Sequence, residues 1–80
     1  MEIQEILKQV NQIFIIVLDN EDVVLDIETT ANDVEDWDSL THIQLIVAIE
    51  KHFNIRFTSS EIQSWKNVGQ MCKTIGDRLM

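Results

Sequence analysis

Eighty residues, 45% of them hydrophobic, can fill one small core but are too few for a core that also encloses an active site, so a conventional enzyme is not expected. Fourteen acidic residues against six basic ones give a formal net charge of −8, which opposes nucleic acid and anionic membrane surfaces, where phosphate charge would have to be neutralised. Two glycines and no proline leave little of the turn punctuation that many short strands need, which favours an all-α chain.

Residues 2–17 place Ile3, Ile6, Leu7, Val10, Ile13, Phe14 and Val17 at steps of three and four between polar residues, the pattern of one amphipathic helix. From Leu18 to Trp37 that pattern breaks. A connection of about 20 residues is long for a compact domain, where loops beyond roughly 12 to 15 residues are functional or disordered as a rule. Its apolar residues Val23, Val24, Leu25 and Ile27 are expected to hold it down on the bundle.

A second helix is expected from about Asp38 to Phe53, with Leu45, Ile46, Ile49 and Phe53 on one stripe. Leu40, Ile43 and Val47 form another apolar line on a different side, more than one core contact needs, so part of this helix is expected to face a partner. Asn54-Ile55-Arg56-Phe57 reads as extended. Thr58 and Glu61 then match a capping box opening a short helix that reaches about Trp65, and Asn67 with Gln70 repeats the arrangement. Val68, Met71, Cys72, Ile75 and Leu79 carry a last amphipathic helix. The expected fold is a small up-and-down helical bundle of three main helices and one short one, with a long loop between helices one and two, and residues 1–80 form a single domain.

Metal and nucleotide sites find no support: two histidines and one cysteine have no zinc spacing, and there is no glycine-rich phosphate loop. The acidic run from Asp33 to Asp38 lacks the glycine and the distal glutamate of a calcium loop, and Gln44 stands where that glutamate belongs. Ser39 and His42 lie three apart on a helix, but no oxyanion hole or third orienting group accompanies them, and a helix N-terminus disfavours a protonated histidine. His42 therefore reads as an exposed polar residue, and His52 as solvent-facing. Trp37 is expected to pack the loop onto the bundle rather than dock a partner, and Trp65, Met71 and Cys72 to be core or boundary residues. Cys72, the single cysteine, cannot form an internal disulfide, and no signal peptide or membrane span is present, so a soluble cytoplasmic protein is expected.

Asp38-Ser39 taken by itself is helix punctuation, since both residue types cap helices. Its setting changes the reading: near mid-chain, after a long packed loop, at the start of a helix with two apolar lines, in a small acidic helical domain. With Asp38-Ser39-Leu40, the run from Ile43 to Glu50, Phe53 with Ile55, Glu61-Ile62 and Val68, the sequence resembles the acyl carrier protein family across nearly its whole length.

The resemblance implies that Ser39 bears a covalent 4'-phosphopantetheine arm taken from coenzyme A, and that acyl groups ride on it as thioesters. It makes Asp38, Leu40, Ile43 and Val47 contacts for partners: a phosphopantetheinyl transferase and the acyl-loading and acyl-accepting enzymes. Leu45, Ile46, Ile49 and Ile55 are the candidate lining of an acyl pocket. A primary hydroxyl at an exposed helix start suits that role, because the positive end of the helix dipole favours a phosphodiester anion. The protein would be a monomeric carrier, no enzyme itself and with no metal of its own.

The sequence departs from the fatty-acid carriers in two respects. Their second helix is strongly acidic, whereas in this one Glu50 is the only acid after Ser39, and the acids sit upstream at Asp33, Glu35, Asp36 and Asp38. Trp37 precedes Asp38 where a glycine is common in the family. Basic partner patches tuned to an acidic helix would lose contacts, which points to a dedicated pathway such as polyketide, fatty acid-like, aminoacyl or surface-polysaccharide modification. The competing reading is an unmodified helical interaction module of the same fold that uses Leu40, Ile43 and Val47 only for docking. A small DNA-binding domain is opposed by the charge.

Overall fold

The computed structural model describes residues 2–79, within which the regular elements are four α-helices and one turn of 3-10 helix, with no strand. Helix α1 spans Ile3–Leu18, α2 Ser39–Phe53, α3 Ser59–Ser64 and α4 Val68–Leu79, and the 3-10 turn Ala31–Asp33 interrupts the long α1–α2 loop. The four helices and that loop are the all-α bundle expected from the hydrophobic periodicity.

Each main helix buries one stripe. Ile6, Val10, Ile13 and Phe14 of α1 meet Leu45, Ile49 and Phe53 of α2 and Val68, Met71, Cys72 and Ile75 of α4 in one cluster, with α1 packed against both partners. Phe14, Leu45, Ile49, Val68, Cys72 and Ile75 have no measurable exposure, so the hydrophobic contribution to stability is concentrated on these three helices.

A chain with so little glycine ends its first two helices by other means. Asp19 (φ 52°) and Asn54 (φ 57°) adopt the left-handed conformation after α1 and α2, a role that glycine fills most often. The next N–H then reaches back to the last turn, from Asn20 to the Ile15 carbonyl at 3.2 Å and from Ile55 to the Glu50 carbonyl at 3.0 Å. Asn54 thus caps α2, and only the residues after it leave the helical conformation; the extended reading of 54–57 began one residue early.

The long loop is packed down as expected, but by fewer of its apolar residues. Val23 and Leu25 are buried, while Val24 between them points the opposite way and is exposed, as successive side chains of an extended stretch do, and Ile27, in the turn that follows, is exposed too. Asn11 of α1 fixes this stretch: its Oδ1 accepts the Leu25 N–H at 2.6 Å and its Nδ2 donates to the Val23 carbonyl at 3.2 Å. Further along, the loop caps another helix. The carbonyls of Thr29 and Ile27 accept the N–H groups of Val68 and Gly69, both at 2.8 Å, satisfying two free donors at the start of α4. Gly69 is required by that approach, since a Cβ there would lie 2.6 Å from the Ile27 carbonyl oxygen.

The Thr58–Glu61 capping box forms in both directions at the start of α3. The second one is only half made. Asn67 Oδ1 accepts the Gln70 N–H at 2.9 Å, but the Gln70 side chain accepts from the Lys66 N–H at 2.8 Å, one residue before the position a capping box uses.

Candidate functional site

The loop ends and α2 begins at Asp38, and the division of labour between Asp38 and Ser39 decides what the serine can do. Asp38 is the N-cap. Its Oδ1 accepts the N–H groups of Leu40 (3.0 Å) and Thr41 (2.9 Å), and the Asp38 N–H donates to Thr41 Oγ1 at 2.8 Å, a reciprocal capping box with threonine in place of the usual glutamate. The Thr41 N–H, and to a lesser degree the Leu40 N–H and the Thr41 hydroxyl, hold the Asp38 carboxyl below the usual carboxylate range. Thr41 Oγ1 also donates to the Asp36 carbonyl at 2.8 Å, tying the loop to the helix.

Ser39 is therefore the first residue of the helix rather than its cap, and it is exposed. Among the described residues no hydrogen bond uses its hydroxyl. The result is a primary alcohol at the positive end of a 15-residue helix, open to solvent and with no structural duty.

On one side of Ser39 runs the exposed apolar line Leu40, Ile43 and Val47, with 67%, 63% and 44% of their surface accessible. The other stripe of α2 faces inward: Leu45, Ile46 and Ile49 are buried and Ile55 is half-buried against the core. The structure thus separates the two sets of site candidates, one on the surface beside Ser39 and one inside the bundle. Glu50, the only acid of α2, accepts the Phe57 N–H at 2.9 Å and is engaged by the turn that follows, so the exposed face of α2 contributes little negative charge.

On the opposite side of Ser39 lies an open cleft of about 390 Å³, lined by Trp37, His42, Ile62, Trp65, Asn67 and Met71 and reaching Asp38 and Lys66. The two tryptophans bound it. Trp65 stands edge-on to Phe57, with centroids 4.9 Å apart, and donates its indole N–H to Thr74 Oγ1 at 2.9 Å. Trp37 is buried, edge-on to Phe14 at 4.9 Å, and donates its indole N–H to His42 Nδ1 at 3.0 Å.

Trp37 is thus a packing residue, as expected, whereas His42 departs from its reading as an exposed polar side chain. It is half-buried, stacked on Trp37 at 5.9 Å, and burial lowers its pKa from the usual 6.5. No sequence signal marks the cleft, because its walls come from the loop end, α2, α3 and the start of α4, and only the tertiary packing brings them together. His52, by contrast, is exposed and lies 2.8 Å from Gln9 Oε1. Met71 and Cys72 are buried, and burial pushes the Cys72 thiol up to about 11.

The family model for the phosphopantetheine attachment site matches residues 2–75. The chain belongs to the acyl carrier protein family. It is similar to the holo acyl carrier protein of Geobacter metallireducens, whose solution NMR structure superimposes with a TM-score of 0.86 at 42% sequence identity, covering 91% of this chain and 84% of that one. Comparison with curated proteins returned no match. As an acyl carrier protein the chain is a carrier and not an enzyme, its prosthetic group is a covalently attached phosphopantetheine, and its partners in general are a phosphopantetheinyl transferase and acyl-handling enzymes. Among the described residues no helix is long and apolar enough to cross a membrane. The chain fits its prosthetic group in one specific way: a hydroxyl that needs no internal partner stands at a helix start whose dipole favours a phosphodiester.

Proposed function

We propose that Ser39 is the attachment residue and that the protein carries acyl groups as thioesters on the arm bound there. One observation carries this reading: the Asp38 carboxylate caps α2 and leaves the Ser39 hydroxyl exposed and uncommitted. The arm supplies a thiol on which a carboxylic acid can be held as a thioester. The chain's own residues do the rest. Asp38 fixes the first turn of α2, the helix start holds the phosphodiester charge, and Leu40, Ile43 and Val47 present an apolar ridge against which a partner enzyme can seat. Leu45, Ile46, Ile49 and Ile55 are the apolar residues available to sheath an acyl chain. Leu45 and Ile49 are fully buried, so sheathing requires α2 to shift.

We assign the carrier to a dedicated pathway, of the polyketide, fatty acid-like, aminoacyl or surface-polysaccharide-modifying kind, and to the cytoplasm as a monomeric single domain. The charge distribution supports a dedicated role. Acids cluster in the loop at Asp33, Glu35, Asp36 and Asp38, while α2 exposes Gln44, Lys51 and His52 beside a half-buried Thr41, so a partner built for a uniformly acidic helix would be poorly matched.

The test is direct. Incubated with coenzyme A, magnesium and a broad-specificity phosphopantetheinyl transferase, the wild type gains the mass of one phosphopantetheine and Ser39→Ala gains nothing. No mass change in the wild type would favour an unmodified docking module, and labelling of Ser39→Ala would move the attachment to another residue.

A further inference from the structure

The hydrogen bond between Trp37 and His42 spans the residue proposed for attachment, from two positions before Ser39 to three after it. An indole N–H can only donate, so His42 Nδ1 must offer a lone pair and the ring proton resides on Nε2. One end of the bond is rigid: Trp37 is 9% exposed, stands edge-on to Phe14, and its backbone N–H donates to the Val34 carbonyl at 3.1 Å. The other bonds that tie the loop to the start of α2, from Thr41 to Asp36 and between Asp38 and Thr41, lie at the exposed surface, whereas the Trp37–His42 bond is partly buried. Water competes least for the partly buried one, so solvent does not replace it when it is lost.

We propose that Trp37 and His42 act as a positioning staple: their hydrogen bond fixes the Asp38–Ser39 turn in the form that the modifying transferase recognises, and protonation of His42 opens it. A protonated ring turns two donors toward each other at Nδ1 and the indole, and the bond is lost. The charged groups that face His42 are Asp38, at the start of its own helix, and Lys66, across the cleft from the α3–α4 turn. Burial opposes the imidazolium and lowers the His42 pKa, and a helix start likewise disfavours a positive ring. The neutral ring that the staple needs is thus the form its surroundings support near neutral pH, and the staple opens on acidification. The pair touches no reacting atom, so its role is positioning. The inference rests on the attachment reading above.

Two measurements test it. In NMR titration of the unmodified protein, the His42 nitrogens should report the Nε2–H tautomer, and the Trp37 indole N–H should shift with the His42 midpoint. The Trp65 indole, bonded to Thr74, should not follow it. A Trp37 resonance indifferent to His42 protonation, or an Nδ1–H tautomer, overturns the staple.

In the second measurement, the rate of phosphopantetheine transfer to Trp37→Phe and to His42→Leu should fall about fivefold, the worth of one net hydrogen bond. His42→Gln keeps an acceptor that does not titrate and should be modified at the wild-type rate at pH 7.5. The ratio of wild-type to His42→Gln rates, which cancels the transferase's own pH dependence, should fall as the pH drops below the usual imidazole value of 6.5. Wild-type rates in both Trp37→Phe and His42→Leu, or a ratio flat with pH, overturn the proposal. If Trp37→Phe fails to fold, His42→Leu carries the test. A wild type that is never modified would instead overturn the attachment reading, a result the NMR measurement keeps separate.

Discussion

The two faces of α2 are built from similar residues and do different work. Leu45, Ile46, Ile49 and Phe53 face inward, all under 10% exposed, and Leu40, Ile43 and Val47 on the other face are left between 44% and 67% exposed. Nothing in the side-chain chemistry separates Ile43 from Ile46. The difference is the direction each takes from one helix axis and what the bundle places there. The lesson is that the inward row anchors the helix to α1, and the anchored helix then carries an apolar ridge and the Ser39 hydroxyl on a rigid support, as the attachment proposed at Ser39 requires.

Breaking the inward row should have the largest effect. Leu45→Ala or Ile49→Ala, each at a site of no measurable exposure, should cost about 2–5 kcal/mol, read as a lower urea midpoint. Next come the contacts that hold the loop against the bundle. Asn11→Ala leaves the Leu25 N–H and the Val23 carbonyl without their partner and should cost about 1–3 kcal/mol, with faster hydrogen exchange at Leu25. Gly69→Ala, whose Cβ would press on the Ile27 carbonyl, should loosen the same loop and be seen in the same exchange experiment.

Changes to the outward row should sharpen the contrast. Ile43→Ser or Val47→Ser should leave stability within about 0.5 kcal/mol while slowing transfer to partner enzymes. A stability loss as large as that of Ile49→Ala would show that the two faces are not separate in function. The smallest effect expected is that of pH. The His42 pKa is lowered in the fold, so the unfolded chain binds the proton more tightly, and stability should be full above the usual 6.5 and decline as pH falls through it. Asp38 acts with the same sign at lower pH, its contribution present above the usual 3.8 and lost as the carboxyl protonates. A urea midpoint that fails to fall between pH 7 and 5, or that falls equally in His42→Gln, would remove His42 from that account.

Much of the site was legible because it is local. Asp38 and Ser39 lie at a helix start, and a start is marked by the residues on either side of it; the second apolar line of α2 follows from a period of 3.6. The role of His42 was not legible. Spacing placed it on the helix surface near Ser39, but its environment depends on Trp37, which comes from the far side of the helix boundary. The four apolar loop residues were recognised as anchors without a means of choosing between Val23 and Val24. Asn11, which fixes that choice, lies on another element 12 positions from Val23 and 14 from Leu25.

The sequence by itself determined the helices, their inward stripes, the Thr58–Glu61 capping box and a serine at a helix start, because each of these is decided within a turn or two of chain. Only the tertiary structure decided that Asn11 holds Val23 and Leu25 down, that loop carbonyls cap α4 against Gly69, and that Trp37 meets His42 beside a cleft. Those outcomes depend on contacts between elements, whose geometry is set by how the stripes of α2 and α4 pack against that of α1 and is not written in any one of them.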